Sequence, residues 1–301
     1  MLEDSNTNLN KAIVSTIAFF DIFSYPLSAF EVFKYLQIEA SYFQVVLALE
    51  NLELRNIISS KNSFYCLRDK EINFEIRQKR YNYSKEKIKI ARRWSKIFTL
   101  TTGLKFIALS NSIGSYNIRE KGDIDLFIIT KRNRIWTSRF TLALIAKLFN
   151  LRPSPEDETD KLCLSFFISE ANLNLQNYTK ENDFYFLYWL VNLNPVYDKD
   201  NYFDKLLSEN MWIKNYLPNY FKIINVSSDK HSFNKISKHG LIEKCLKKIQ
   251  WRLFPQEIKD KANKDKEVII NDEVLKLHVL DRRDYFYQKY LERMKVYENK
   301  L

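Results

Sequence analysis

The stretch "ALSNSIGSYNIREKGDIDLFIIT", residues 108–130, is the strongest indication of the fold in this sequence. It ends in an apolar run that carries two carboxylates, Asp123 and Asp125, separated by one residue. Residues two apart on a β-strand project to the same side, so these carboxylates lie together while Ile124 and Leu126 enter the core. Neighbouring carboxylates repel each other unless a cation lies between them, and an oxygen-rich pair suits Mg²⁺. The sequence therefore predicts a magnesium site at Asp123 and Asp125.

The segments around this strand predict a sheet with flanking helices. Apolar runs at 103–110 and 161–169 are typical of buried strands, and 135–150 has the pattern of a helix. Between the first strand and the aspartates, "NSIGS" (111–115) is a turn of small residues whose exposed backbone N–H groups can bind a phosphate. The order strand, turn, strand, helix, strand is typical of a mixed α/β sheet covered by helices.

The first module, residues 1–75, shows the order helix, helix, helix, hairpin that is typical of a winged helix. Ser28 with Glu31 forms one capping box, and Ser41 with Gln44 forms another, so these positions predict where the second and third helices begin. Two short apolar runs around a polar turn then predict the hairpin.

The rest of the chain divides into a central domain, residues 76–180, and a helical C-terminal region, residues 181–301. The central domain opens with a long basic helix from about Ser84. The C-terminal region contains several aromatic-rich helical patterns, with a short strand expected at 267–271 or 274–280. We therefore expect an α+β or α/β protein with an N-terminal winged helix, a central mixed sheet and a C-terminal helical region.

The distribution of charge favours a polyanionic ligand but not DNA on the first module. The chain has a formal net charge of +11, and residues 61–152 carry 21 Lys or Arg against 7 Asp or Glu, a net +14. Residues 1–60 carry 3 against 7, a net −4. The third predicted helix carries Glu50 and Glu53 and no basic residue before Arg55. DNA phosphates require Lys or Arg at that surface, so DNA binding is not expected.

Other features of the sequence favour the cytoplasm. The three cysteines are odd in number and far apart, which suits a reducing compartment and makes no zinc pattern: Cys66, Cys163 and Cys245. The sequence has no run of 18 or more apolar residues, so we expect no membrane span. The acidic, polar start of the chain is unlike a secretory signal.

The stretch quoted above resembles the nucleotidyltransferase superfamily with the DNA polymerase β-like fold. That family shows a strand, Gly-Ser, a turn, and then Asp-x-Asp on a hydrophobic strand. Ser112 lies eleven residues before Asp123, with Asn111 in place of the glycine, whereas Gly114-Ser115 has the dipeptide at a spacing three residues shorter. The resemblance implies that Ser112 binds phosphate and that Gly114 and Ser115 shape the same phosphate-binding turn.

The wider chain resembles a group of uncharacterised bacterial proteins that join an N-terminal winged helix to such a domain. The shared stretches are "FFDIFSYPLS" (19–28), the aspartate motif and "KLCLSFFIS" (161–169). The resemblance implies a Mg²⁺-dependent nucleotidyltransferase that moves a nucleoside monophosphate from an NTP to an acceptor hydroxyl. The acceptor stays open: an RNA end, a protein side chain or a small molecule.

Active members of this superfamily carry a third carboxylate on a later strand, where it acts as general base or as a ligand of a second metal ion. The corresponding run, 161–169, contains no acid. Glu170 follows that strand directly, and Asp157, Glu158 and Asp160 lie in the loop before it. We take Glu170 as the candidate catalytic residue, because it ends the strand that should lie beside the Asp-x-Asp strand.

Arg139 is the candidate phosphate ligand among the basic residues. It interrupts the apolar helical sequence "WTSRFTLALIA" (136–146). The planar guanidinium group of arginine suits phosphate oxygens.

Two other functions stay compatible with the sequence. One is a catalytically weak, nucleotide-binding regulator whose winged helix contacts DNA or protein. The other is an interaction scaffold in which the aspartate pair is a relic.

Overall fold

The computed structural model describes residues 2–154, 156–224, 240–297 and 300, and within them it shows a mixed α/β protein with two sheets. The N-terminal elements are α1 (Leu2–Asp21), β1 (Leu27–Ser28), α2 (Ala29–Tyr35), α3 (Tyr42–Leu54), β2 (Ile58–Lys61) and β3 (Phe64–Leu67). The central elements are α4 (Ile72–Phe98), β4 (Leu104–Leu109), α5 (Asn111–Gly114), β5 (Ile124–Thr130), α6 (Ile135–Leu148) and β6 (Leu162–Ser169).

The remaining elements lie in the region that the sequence predicted as helical. Their helices are α7 (Phe184–Val191), α8 (Tyr202–Glu209), α9 (Tyr220–Ile223), α10 (Leu241–Leu253), α11 (Gln256–Lys261) and α12 (Arg283–Tyr297), with short 3-10 helices at Gln176–Tyr178 and Met211–Asn215. Their strands are β7 (Asn194–Asp198), β8 (Val268–Ile270) and β9 (Val274–Leu277). The region is therefore not purely helical.

The small N-terminal sheet has the antiparallel order β1-β3-β2. Both predicted capping boxes are present: the Ser28 hydroxyl accepts from the Glu31 N–H at 3.2 Å, and Ser41 does the same for Gln44. The predicted hairpin is confirmed as β2 and β3. The sequence did not predict β1, which is only two residues long.

The large sheet has the order β7-β4-β5-β6-β9-β8. Strands β5 and β6 run parallel, and the other neighbouring pairs are antiparallel. The predicted strands around the aspartate motif are thus adjacent in the centre of the sheet. Strand β7, which the sequence did not predict, lies at one edge and contains Pro195, a residue that sheets tolerate at edges.

A β-bulge interrupts the pairing of β5 with β6. Asp125 is opposite Cys163, but Phe127 is opposite Phe166, so β6 contains one extra residue at this point. The extra residue puts Cys163 and Phe166 on the same side of the sheet. Bulges of this kind redirect side chains and are frequent beside functional sites.

Each face of the large sheet has its own hydrophobic core. Phe106, Phe127 and Ile129 belong to a core that extends through α7 to the N-terminal elements. Ile107 and Ile128 belong to a second core with α4, α6 and α10. Because side chains alternate along a strand, Asp125 projects to the same side as Phe127, toward the first core. None of the described helices is long and apolar enough to span a membrane.

Helix α1 packs against α12, which joins the N-terminal elements to the end of the described chain. The Arg293 guanidinium lies 2.6 Å from the buried Asp21 carboxylate, and the hydroxyls of Ser15 and Tyr290 lie 2.8 Å apart. Farther along, the side chain of Asn192, just before β7, accepts hydrogen bonds from Tyr35 and Lys34. These contacts join the N-terminal elements to α12 and to the segment between α7 and β7.

Candidate active site

Asp123 and Asp125 lie at the beginning of β5. Asp123 immediately precedes the strand, and the Asp125 carbonyl accepts a hydrogen bond from the Ser110 N–H at 3.0 Å, where β4 ends. Both carboxylates are half-buried and close enough to influence each other's pKa. The structure therefore brings together the two residues that the sequence predicted as a metal-binding pair.

The pair carries more negative charge than its surroundings balance. Burial raises the pKa of Asp125 to about 7, and the charge of Asp123 adds to this rise, whereas hydrogen bonds with Asn111 and Cys163 oppose it. Burial, followed by the charge of Glu158, also raises the pKa of Asp123. Carboxylates with raised pKa values are stabilised in their charged form when a cation binds.

Lys87 of α4 is a basic side chain close to the pair. It is buried, its ammonium donates to the Gly122 carbonyl at 2.9 Å, and its charge opposes the rise in the pKa of Asp123. However, the same ammonium also forms an ion pair with Asp160. Its charge is therefore shared, and the pKa values of both aspartates remain raised.

Cys163 completes the cluster from the neighbouring strand β6. One ligand atom each from Asp123, Asp125 and Cys163 lie within 4.8 Å of one another. Within the described residues, this is the one group of three His, Cys, Asp or Glu side chains with the geometry to hold a metal ion. The Cys163 thiol also lies 3.1 Å from the Ser165 hydroxyl, which in turn lies 3.2 Å from Nε2 of His278.

The turn after β4 lies beside the pair. Asn111 has a positive φ of 51° and hydrogen-bonds to Asp125, and its amide oxygen accepts from the Tyr185 hydroxyl at 3.2 Å. Ser112 is exposed and Ser115 is half-buried, and both line a cavity beside Asp123. These hydroxyls are therefore accessible to a ligand of the aspartate pair.

Gly114 has a different role in the turn. It is buried, and a Cβ at this position would lie 2.6 Å from the Asn192 carbonyl oxygen. A side chain would push the turn away from the segment before β7. Gly114 therefore shapes the turn by close packing and does not itself line the cavity.

The cavity beside Asp123 has a volume of about 480 Å³. Three arginines contribute to its wall: Arg80, Arg119 and Arg282. Arg80 donates to the Phe23 carbonyl at 2.6 Å, and burial together with the charge of Arg119 lowers its pKa. Aromatic side chains from α1, α7 and α12 form much of the remaining wall. The cavity thus combines carboxylates, hydroxyls, guanidinium groups and aromatic rings.

Arg139 does not contribute to this cavity. It lies in α6, on the opposite face of the sheet from the aspartates, and is covered by α10. Its Nη1 donates to the Gln250 amide oxygen at 2.7 Å, its guanidinium lies over the Phe254 ring, and burial lowers its pKa to about 10. The arginine that interrupts the apolar helix therefore packs against another helix, and the geometry gives no support to the predicted phosphate contact.

Glu170 is also away from the aspartate pair. Because β5 and β6 run parallel, the end of β6 lies beside the end of β5, where Thr130 pairs with Ser169. The Glu170 carboxylate accepts from the Arg132 N–H at 3.1 Å and from the Tyr202 hydroxyl. The prediction correctly placed β6 beside the aspartate strand, but because the strands are parallel, the residues near the aspartates are those at the beginning of β6, not those after its end.

Glu158 is the acid from the predicted set whose charge acts on both aspartates. It is exposed, in the loop that precedes β6, and it raises the pKa of Asp123 and of Asp125. The other members of the set have different contacts: Asp160 pairs with Lys87, and Asp157 lies 3.3 Å from Lys161.

Sequence reasoning missed several residues of the site. Lys87 was part of a helix interpreted only as basic, and Cys163 was assigned no role. Arg282 and its neighbour Arg283 have different environments: Arg282 is exposed and lines the cavity, whereas Arg283 is buried among aspartates. A cysteine at the start of a strand next to Asp-x-Asp was the available signal for Cys163.

Helix α3 has an exposed surface that does not suit DNA. Its exposed side chains include Phe43, Leu47 and Leu54, together with Glu50, and the helix contains no Lys or Arg. An apolar and acidic surface lacks the charges that neutralise phosphates.

Comparison of the chain with known protein families, with curated proteins and with solved structures finds no match.

Proposed function

We propose that the protein is a nucleotidyltransferase that uses a divalent cation to move a nucleoside monophosphate from an NTP to an acceptor hydroxyl. The arrangement that carries this proposal is a cavity lined by Asp123, by Ser112 and Ser115 and by three arginines, with Asp125 in one cluster with Asp123. Carboxylates, hydroxyls and guanidinium groups around one cavity suit a metal-bound polyphosphate.

The topology around the site supports the same proposal. Strand β4 is antiparallel to β5, β5 is parallel to β6, and the phosphate-binding turn lies between β4 and β5. This is the order that the resemblance to nucleotidyltransferases implies. The N-terminal elements likewise keep the helix and hairpin order of a winged helix.

The donor atoms at the site fit a divalent cation. Two half-buried carboxylates with raised pKa values supply anionic oxygens that a cation would neutralise. When bound, the ion would supply charge neutralisation for the phosphates of the nucleotide.

The protein's own residues would bind and orient the substrates. In the reaction, the acceptor oxygen bonds to the α-phosphorus while the bond from that phosphorus to the β-phosphate oxygen breaks, and its electron pair leaves with pyrophosphate. Ser112, Ser115 and Arg119 would position the phosphates, and Arg282 would hold the charge of the departing group. Glu158 is the candidate acceptor for the proton of the attacking hydroxyl, because its charge reaches both aspartates.

The test is a melting scan with each of the four NTPs, with and without Mg²⁺, Mn²⁺ or Zn²⁺. A ligand that binds only the native state at about 100 times its Kd stabilises the protein by about 2.7 kcal/mol, so we expect a clear rise in Tm that needs both nucleotide and metal. Asp125→Asn should remove the rise, and Arg139→Lys is the control that should keep it. A Tm that is unchanged by every nucleotide would refute nucleotide binding.

Transfer itself is tested with α-labelled NTPs, metal and cell extract. The wild type should label an acceptor, and Asp125→Asn should not. If the variant labels its targets as strongly as the wild type, the assignment of the active site is wrong. Digestion of the labelled product by ribonuclease or by protease then distinguishes RNA from protein as the acceptor.

A further inference from the structure

The metal-binding cluster contains a sulfur where an all-carboxylate site would have oxygen. Cys163 lies directly opposite Asp125 in the parallel pairing of β5 with β6, and the bulge that follows keeps its side chain on the aspartate side. Atoms bound to one tetrahedral zinc ion lie about 3.3–3.8 Å from each other, given bonds of about 2.0–2.3 Å. The donor atoms of Asp123, Asp125 and Cys163 lie within 4.8 Å of one another, so small side-chain shifts would bring all three onto one ion.

A thiolate changes which ions such a cluster prefers. Mg²⁺ is a hard cation that binds oxygen ligands and keeps several waters. Sulfur ligands favour softer ions, and mixed sets of carboxylate and thiolate suit Zn²⁺ and its congener Cd²⁺. Two carboxylates and one thiolate therefore discriminate against Mg²⁺, which the aspartates alone would accept.

The surroundings of Cys163 differ from those of a cysteine that only fills space. Its thiol is connected through the Ser165 hydroxyl to Nε2 of His278, with separations of 3.1 Å and 3.2 Å. Polar groups behind a metal ligand orient it and are part of metal sites. Cys66, by contrast, is buried in the N-terminal elements, and Cys245 is exposed on α10. Neither belongs to a cluster of potential ligands among the described residues.

We propose that Asp123, Asp125 and Cys163 bind one thiophilic divalent cation, of the Zn²⁺ and Cd²⁺ class, in preference to Mg²⁺. This inference rests on the proposed function in one respect: the ion that it selects is the one that would hold the nucleotide. The binding of the ion itself requires no nucleotide, so the two proposals can fail separately.

The experiment titrates the full-length, metal-free protein with Cd²⁺ and follows the ultraviolet charge-transfer absorption of a cadmium–thiolate bond. The wild type should develop the band and saturate at one ion per chain, and an excess of Mg²⁺ should not displace it. Cys163→Ser should lose the band, and Cys245→Ser, the matched control at an exposed thiol, should keep it. The Tm of each metal-free variant shows that it is folded.

A second variant measures the preference directly. Cys163→Asp should still bind an ion but give no thiolate band, and its ratio of Zn²⁺ to Mg²⁺ affinity should shift toward Mg²⁺ by about tenfold or more, since changes behind a ligand already reach that size. A band that persists in Cys163→Ser would overturn the proposal, because another thiol would then bind the ion. So would an unchanged ratio of affinities in Cys163→Asp.

The two proposals give different results when they fail. If Mg²⁺ and an NTP raise the Tm but Cd²⁺ produces no band in the wild type, the thiophilic site is refuted and the proposed function stands. If the band appears as described but no nucleotide raises the Tm with any ion, including Zn²⁺, the metal site stands and the nucleotidyltransferase is refuted.

Discussion

Two groups of aspartates in this molecule have opposite electrostatic properties. Asp123 and Asp125 have raised pKa values, because burial and like charges outweigh the groups that stabilise them. Asp281 is also partly buried, but hydrogen bonds and the charge of Arg283 overcome the effect of burial and lower its pKa to about 2. Arg283 lies 2.6 Å from Asp183 as well, and all three side chains are almost fully buried.

The difference separates a structural cluster from a candidate binding site. The carboxylates around Arg283 already have the cation that they need, so they hold the start of α12 against α7. The carboxylates at the start of β5 have Lys87 nearby, but Lys87 also pairs with Asp160, and the pKa values of both aspartates stay raised. Aspartates whose charge the protein leaves uncompensated are the ones that a ligand stabilises.

The largest effect on stability should come from removing the guanidinium group of Arg283, which pairs with Asp183 and Asp281. Arg283→Ala leaves Asp183 and Asp281 buried without their partner, and breaking a buried ion pair in this way costs about 3–5 kcal/mol. Urea unfolding at neutral pH measures the loss. Arg282→Ala, the exposed neighbour, should change the stability by less than about 0.5 kcal/mol. Equal effects from the two substitutions would mean that the cluster around Arg283 contributes little.

A smaller effect of opposite sign is expected on the uncompensated pair. Asp125→Asn removes a charge that folding places in an unfavourable environment, so it should stabilise the metal-free protein at pH 8 by about 1 kcal/mol. This is below the full value of the shift, at about 1.4 kcal/mol per pKa unit, because the side chain is only half-buried and water screens its charge. The same unfolding measurement, made with a metal chelator, checks this. A destabilised variant would contradict the raised pKa.

The pH dependence of stability should show both groups. The folded-state pKa of Asp125 is about 7, above its unfolded value of 3.8, so its charge costs stability progressively as the pH rises from about 4 to about 7. For Asp281, with a folded-state pKa of about 2, stability is instead lost as the pH falls from about 4 to about 2. Asp125→Asn should reduce the loss of stability between about pH 4 and pH 7 and leave the loss between about pH 4 and pH 2 unchanged. Unfolding free energies across this range, without metal, provide the test.

Glu158→Gln should have a weaker effect on the loss of stability between about pH 4 and pH 7. Removing this exposed charge lowers the pKa of Asp123 and Asp125, so the pH range of that loss should move to lower pH by less than about one unit. Added salt should reduce the shift. Glu156→Gln, in the same loop, is the matched control. If both substitutions shift the pH range of the stability loss equally, the effect comes from the net charge of the protein and not from the proximity of Glu158 to the aspartates.

No effect on nucleotide binding is expected from Glu170. Its carboxylate is occupied by the Arg132 N–H and the Tyr202 hydroxyl at the other end of β6. Glu170→Gln should therefore keep the rise in Tm that metal and NTP produce, even if the starting Tm is lower. Loss of that rise would show that this end of the sheet belongs to the site.

Local patterns predicted the elements well because their causes are local. The capping boxes at Ser28 and Ser41 start helices where the sequence placed them, and the Asp-x-Asp strand is where its apolar run indicated. Strand β7 was missed because it is short and contains Pro195, and its existence depends on pairing with β4. Such pairing is not encoded in the alternation of one segment.

The site was only half predictable for a similar reason. A strict period of two puts Cys163 on the same side as Phe167, whereas the bulge puts it with Phe166, beside Asp125. Whether Glu170 or Glu158 approaches the aspartates depends on the direction of β6, which follows from its parallel pairing. Whether Arg139 is buried or exposed depends on its packing against α10, whose first residue lies about a hundred positions later.

The docking of α12 has a consequence for how the chain folds during synthesis. Phe286 of this helix packs on Phe23 and Tyr185, with ring centroids 4.8 and 5.1 Å apart, and so closes the cavity wall with a segment made more than 250 residues after α1. Until that segment has been synthesised, Phe286 cannot pack on the rings of Phe23 and Tyr185. Uncovered aromatic surfaces of this kind make a nascent chain prone to association. We therefore expect a chain truncated before α12 to depend on chaperones far more than the full chain does.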